Sequence, residues 1–167
     1  AKLFKATGVI GFGGGSSMDI AKLVALILGS NEDLDEAWGV ENAKGPRLPL
    51  VLIPTTAGTG SEVTPISIIT VEKNEKRGVS SSLILPDLSI LDPALTVGLP
   101  PEITAATGID AMVHAIEAYA SINANNNPIS KILSIEALKL LGSSIESAVF
   151  DGNNMEARSN MLIGSML

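Results

Sequence analysis

The chain has 167 residues, 46% of them hydrophobic, with 18 acidic against 11 basic side chains and a formal net charge of −7. An acidic balance with only 3% aromatics argues against a nucleic-acid groove, which needs a basic stripe and stacking rings. No uncharged apolar run approaches the roughly 20 residues that cross a bilayer, and zero cysteines exclude disulfides and thiolate metal ligands.

The composition is that of a globular chain with a substantial core. No basic segment leads into an apolar run and a small-residue cleavage site, so a cytoplasmic setting is expected. The first element is a short apolar strand over Thr7–Phe12, which empties into Gly13-Gly14-Gly15-Ser16-Ser17. A helix should follow. Ser16 or Ser17 can cap it, Asp19 suits its positive end, and Ile20, Leu23, Val24, Ile27 and Leu28 form an apolar stripe. Glycines at such a turn let backbone approach a pyrophosphate, and the first helical amides favour negative charge. The turn lacks the standard spacing of a GxGxxG fingerprint and the ending of a Walker loop, so an ordinary glycine-rich turn is an equal alternative.

A second strand, Leu48–Ile53, runs into Pro54-Thr55-Thr56-Ala57-Gly58-Thr59-Gly60-Ser61-Glu62, a loop dense in hydroxyls and glycine. Strand, helix and strand in this order predict a parallel βαβ unit, whose ligands bind beyond the carboxyl ends of the strands. Residues 64–70 and 78–85 then read as a hairpin with a charged tip, at whose far side Lys76 could reach a phosphate or ribose. One more buried strand, Leu88–Leu91, ends at Asp92-Pro93. Beyond Pro100-Pro101 the pattern turns helical, over about 102–120, 128–141, 143–150 and 153–167, with a polar loop at Asn123–Pro128. The expected division is therefore residues 1–100 as part of a nucleotide-binding α/β domain and 101–167 as the start of a helical domain.

The first of these helices carries the only histidine of the chain, His114, four residues after Asp110. That spacing puts both side chains on one helix face about a turn apart, within reach of a single ion. A carboxylate with a neutral imidazole suits Fe²⁺ or Zn²⁺. Taken alone, the pair is more often a surface hydrogen-bonded couple or a satisfied core histidine than half of a metal site. Glu117, a turn beyond His114, is by default a solvated charge, with a supporting hydrogen bond to the histidine as the alternative.

Four stretches, GFGGGSSMDIAK, IPTTAGTGSEVTP, LILPDLSILDPALT and LPPEITAATGIDAMVHAIEAY, occur in this order and spacing. The series resembles the iron-containing (group III) alcohol dehydrogenase family. The resemblance implies an α/β N-terminal part, Rossmann-like and dehydroquinate synthase-like, followed by the first helices of an all-α domain that holds the metal. It implies Asp110 and His114 as two metal ligands. Gly14, Gly15, Ser16 and Asp19 would fall at the pyrophosphate turn, Thr55, Thr56 and Thr59 in a second cofactor loop, and Thr64 and Lys76 beside the nicotinamide and ribose. The implied cofactors are NAD or NADP with Fe²⁺, or Zn²⁺ as the alternative. The implied partners are a small alcohol or aldehyde and a second copy in a dimer.

Members of the family complete the metal site with two further histidines on later helices and carry an additional α/β unit ahead of the glycine-rich strand. The resemblance therefore presents this chain as an internal piece of a longer dehydrogenase, inactive alone. Ser17 and Ser82 stand where many relatives have proline. The implied chemistry is hydride transfer between an alcohol carbon and a nicotinamide, with the metal as Lewis acid; no side chain is assigned as general base. Two alternatives stay open: a relative of glycerol dehydrogenase or dehydroquinate synthase, and a nucleotide-binding module without catalysis.

Overall fold

A computed structural model describes residues 2–123 and 125–167, so Ala124 of the expected polar loop lies outside the described residues. The chain forms two compact units, one of Ala1–Pro54 with Ser61–Ile90, the other of Thr55–Gly60 with Leu91–Leu167.

In chain order the first unit contains β1 (Val9–Gly13), α1 (Gly15–Ser30), the single turn α2 (Leu34–Ala37), β2 (Gly39–Val40), β3 (Leu50–Pro54), β4 (Ile66–Thr70), β5 (Lys76–Ser80) and β6 (Leu88–Ser89). β1, β3 and β6 make a parallel sheet in the order β1-β3-β6, with Val9 opposite Leu50 and Val51 opposite Leu88. The βαβ unit is thus present. β4 and β5 form the expected antiparallel hairpin, and β2 joins β5 in parallel to complete a second small sheet.

α1 is buried on two sides. Met18, Ala21 and Ala25 pack with Leu50, Leu52 and Val9 of the parallel sheet, while Leu23 and Leu26 pack with Ala37, Val79 and Ile84. The apolar stripe expected from periodicity is therefore corrected: of its five residues only Leu23 is fully buried, and Ile20 is 52% exposed. A single-face stripe is the wrong template for a helix with neighbours on two sides. Alanines take two of the three positions against the sheet, beside Met18. At Gly11 an added Cβ would lie 2.5 Å from the Leu52 side chain and 2.7 Å from Ala21 Cβ, so glycine there sets how closely helix and strand approach.

Arg47 ties the entrance of β3 to the segment before β6. Its guanidinium grips Asp87 with two bonds, Nη1 to Oδ2 at 2.7 Å and Nη2 to Oδ1 at 3.0 Å, and Asp87 also accepts from the Leu50 amide at 2.7 Å. These donors stabilise the charged carboxylate, Arg47 first and the amide second, and push its pKa down to about 2.

The second unit has a one-turn helix at Pro93–Thr96, capped by Asp92, then α3 (Pro101–Ala120), α4 (Pro128–Phe150) and α5 (Met155–Met166). Thr104, Gly108, Ala111 and Ala115 are the buried stripe of α3, and Leu141, Ala148, Ala157, Met161 and Leu162 fill the core with Ala111. Asn127 accepts from the Ile129 and Ser130 amides while Ser130 Oγ accepts from the Asn127 amide, a reciprocal cap that starts α4 where Pro128 suits the first turn. α4 runs unbroken through Gly142, where two helices were expected. Buried Ser134, Ala137, Leu141, Ser144 and Ala148 keep helical spacing across the glycine, and their packing outweighs its cost of about 1 kcal/mol. Among the described residues no helix is long and apolar enough to cross a membrane.

Because the folded pKa of Asp87 is depressed, its contribution is present above the unfolded value near 4 and is lost as pH falls from about 4 to about 2. Asp87→Asn should lower the urea midpoint at neutral pH, and the difference from the unchanged protein should shrink as the melts are repeated through that window.

Candidate functional site

β1 ends at Gly13, whose φ of +145° turns the chain away from the strand, and Gly14 in extended conformation is the residue that caps α1. Neither Ser16 nor Ser17 is the cap, contrary to expectation, and no side chain bonds the helix end. α1 starts at Gly15, which places both serines inside its first turn, with the Ser17 and Met18 amides already donating to the Gly14 carbonyl at 3.0 and 3.1 Å. Gly15 and Ser16 lie in the turn whose amides have no partner within the helix, as the start of any helix requires. This turn is a cradle of backbone donors with a small positive field and no side-chain hydrogen bond at its cap.

One turn into α1 lies a buried polar cluster. Asp19 Oδ1 accepts from Ser61 Oγ at 2.6 Å, Oδ2 from the Ile68 amide at 2.9 Å, and the Asp19 carbonyl from Ser67 Oγ at 3.0 Å. Lys22, with no exposed surface, donates to Ser61 Oγ at 3.0 Å, Thr64 Oγ1 at 3.3 Å and the Ile66 carbonyl at 2.6 Å, and its ammonium lies 3.6 Å from Asp19 Oδ1. Burial lowers the Lys22 pKa against the opposing pull of Asp19. Burial also raises that of Glu62, which is 2% exposed in the adjacent turn. Of the residues singled out by sequence in this unit, the structure brings Asp19 and Thr64 to one cluster through Lys22 and Ser61. Lys76 stands at the exposed start of β5, opposite Thr70.

In the second unit Thr55 and Thr56 are half-buried, Thr59 is exposed, and Ala57, Gly58 and Gly60 are buried. The loop sits against α3 because Gly58 has no side chain: a Cβ there would lie 2.8 Å from both the Cβ and the carbonyl oxygen of Thr107. Gly60, at φ +58°, passes with its Cβ position 3.0 Å from the Ser165 carbonyl. On α3, Asp110 and His114 stand next to each other, Oδ1 to Nε2 3.8 Å, each side chain about half exposed. Gly108 lies on the opposite, buried stripe, where a Cβ would meet the tips of the Met161 and Ile145 side chains at 2.5 and 3.0 Å. Among the described residues no group of three or more His, Asp or Glu side chains converges as a complete metal site. One carboxylate oxygen and one imidazole nitrogen, open to solvent on one helix face, fit a borderline divalent ion as two of its ligands.

Sequence reasoning missed Lys22 and Arg158. Arg158, 2% exposed on α5, donates from Nε to the Gly152 carbonyl at 3.0 Å and from Nη1 to Thr104 Oγ1 at 2.9 Å, and burial lowers its pKa. It thereby holds α5 to the first turn of α3. The available signal for Lys22 was a lone charge in the otherwise apolar run from Ile20 to Leu28, three residues after Asp19. Arg158 carries no such signal, because arginine in a helix is ordinarily a surface residue.

The model of the family described as iron-containing alcohol dehydrogenase matches residues 1–93, and that of its C-terminal part matches residues 104–167. The chain is 45% identical over 168 aligned residues to a sulfoacetaldehyde reductase of Bilophila wadsworthia, all of this chain against 43% of that protein. An alcohol dehydrogenase from Oenococcus oeni is similar in structure at TM-score 0.93 and 40% identity, over 99% of this chain and 43% of the other. A sulfoacetaldehyde reductase from Bifidobacterium kashiwanohense, solved in complex with NAD⁺, matches at TM-score 0.89 and 36% identity, over 99% and 44%. The chain thus spans about two fifths of the length of the relatives it matches.

Gly58→Ala should cost about 1–3 kcal/mol, because the new methyl meets backbone of α3 that cannot turn aside. A thermal melt checks this, and an unchanged midpoint would mean that the loop is free to lift from Thr107.

Proposed function

Because the chain belongs to the iron-containing alcohol dehydrogenase family, we propose that it supplies cofactor-binding and metal-binding residues of a dehydrogenase that moves hydride between a small alcohol or aldehyde and NAD or NADP. The adjacency of Asp110 and His114, at 3.8 Å on one exposed helix face, is the observation that carries this reading. They are assigned as two ligands of Fe²⁺, with Zn²⁺ as the alternative that the same oxygen and nitrogen donors accept. When bound, such an ion supplies Lewis acidity to a substrate oxygen, and the nicotinamide supplies the carbon that exchanges hydride.

The other roles follow from what each group can do. Gly14, Gly15 and Ser16 hold the pyrophosphate with backbone amides and the field of α1, needing no basic side chain. Thr55, Thr56 and Thr59 offer neutral hydroxyls and amides to the cofactor. Thr64 and Lys76 line its nicotinamide and ribose end. Asp19 acts by position: both its carboxylate oxygens are engaged, so it fixes the start of α1 to the segment that carries Thr64. Residues 1–100 would form part of the nucleotide-binding domain and 101–167 the start of the metal-binding domain. A homodimer belongs to the same reading by resemblance, and a cytoplasmic setting goes with it as the sequence pattern suggests.

The test is alcohol oxidation coupled to NAD or NADP reduction by a protein that contains this chain, loaded anaerobically with Fe²⁺ or with Zn²⁺. His114→Ala and Asp110→Ala should each lower kcat/KM and bound metal by at least about 100-fold, more than loss of an outer hydrogen bond at a metal site causes. Unchanged metal content in both variants would sink the assignment.

A further inference from the structure

We propose that Lys22 is a positioning residue that sets the nicotinamide end of the cofactor site in register with the pyrophosphate turn. This rests on the assignment above of Thr64 to the nicotinamide and of Gly14–Ser16 to the pyrophosphate.

The argument begins with how Lys22 is placed. An ammonium has three N–H donors, and here they have three acceptors, Ser61 Oγ, Thr64 Oγ1 and the Ile66 carbonyl. All three acceptors lie on one short stretch, Ser61–Ile66, while Lys22 itself stands on the second turn of the helix that begins at the glycine cradle. Asp19, one turn earlier, holds Ser61 of that stretch and, just beyond it, the Ile68 amide. The two charged residues and Ser61 close a ring, Asp19 to Ser61 to Lys22 and back to Asp19 at 3.6 Å.

A fully buried lysine is expensive to hold, and packing alone does not call for one: a methionine of similar length fills the same space. What methionine cannot do is fix three acceptors on one segment at hydrogen-bond distance from one helix. A β-strand and a turn joined only by apolar contacts can slide by fractions of an ångström, whereas a charged group with directional donors cannot. Thr64 is the one acceptor of the three whose hydroxyl belongs to a half-buried residue assigned to ligand, and Lys22 orients that hydroxyl by taking one of its lone pairs.

The consequence separates the two ends of the cofactor. Loss of Lys22 leaves the backbone cradle of Gly14–Ser16 intact, so the ADP-ribose half keeps its main anchor, while the Thr64 segment keeps only the Asp19 bonds to Ser61, Ser67 and Ile68 and Thr64 itself loses its tie to α1. The experiment titrates the whole chain with NADH, followed by its fluorescence, and with ADP-ribose, followed by calorimetry, for the unchanged protein, Lys22→Met and Ser61→Ala. Lys22→Met should weaken NADH roughly tenfold, about 1.4 kcal/mol, with ADP-ribose within about twofold. Ser61→Ala breaks the ring while keeping the lysine and should give the same selective loss at smaller size; it carries the test alone if Lys22→Met does not fold. Equal losses for both ligands would make Lys22 a merely structural residue and overturn the proposal, as would no loss for either. If the unchanged protein binds ADP-ribose without gaining from the nicotinamide, the assignment of Thr64 fails and the proposal with it. If it binds neither ligand, the cofactor reading of the chain is what falls.

Discussion

The close approach of α1 to the parallel sheet is the constraint from which the first unit follows. Gly11 has neither room for a side chain nor use for one, with Leu52 on one side and Ala21 on the other. Given that contact, Met18, Ala21 and Ala25 must be the sheet-facing residues, and the remaining faces of the helix turn Leu23 and Leu26 toward β5 and the Ile84 turn. The start of α1 is fixed in the same way, since Gly13 turns out of β1 and leaves only one extended residue before the helix. A cradle of amides at the carboxyl edge of β1 is thus the geometric result of a helix pressed against the strand that precedes it.

Both units use a buried cation to hold elements together, and the two cations are satisfied differently. Lys22 has a carboxylate nearby and three oxygen acceptors. Arg158 bonds a carbonyl and a hydroxyl, with no ion pair to it among those seen in the described residues. Burial depresses both pKa values, and for Lys22 it does so against the opposing pull of Asp19 and Glu62, so the loss of water outweighs the nearby negative charge. Removing one side of such an arrangement leaves an unpaired buried group, which is why single substitutions here act more strongly than the net worth of the contact suggests.

Much of this was legible from residue order alone. The βαβ unit, the hairpin after Thr64 and the start of a helix at Pro101 follow from local pattern and punctuation, and the adjacency of Asp110 and His114 follows from helical spacing. What local pattern missed is set by tertiary contacts. The buried faces of α1 depend on having two neighbours, Gly142 is overridden by packing on both of its flanks, and the cap of α1 is a glycine because the strand turns too sharply for Ser16 to remain outside the helix. Lys22 illustrates the limit most clearly: Asp19 is three residues away, but its three hydrogen-bond acceptors lie 39 to 44 residues away, beyond the reach of any window over the sequence.

The path of the chain also bears on the order in which its parts can settle during synthesis. β3 passes directly into Thr55–Gly60, whose packing partners Thr107 and Ser165 are added to the growing chain only later. A ribosome delivering about 5–20 residues per second therefore exposes this threonine-bearing loop for seconds after the strand that leads into it has its neighbours. During that interval the loop is without the contacts that seat Gly58 and Gly60, and unsupported backbone of this kind is where proteolysis concentrates.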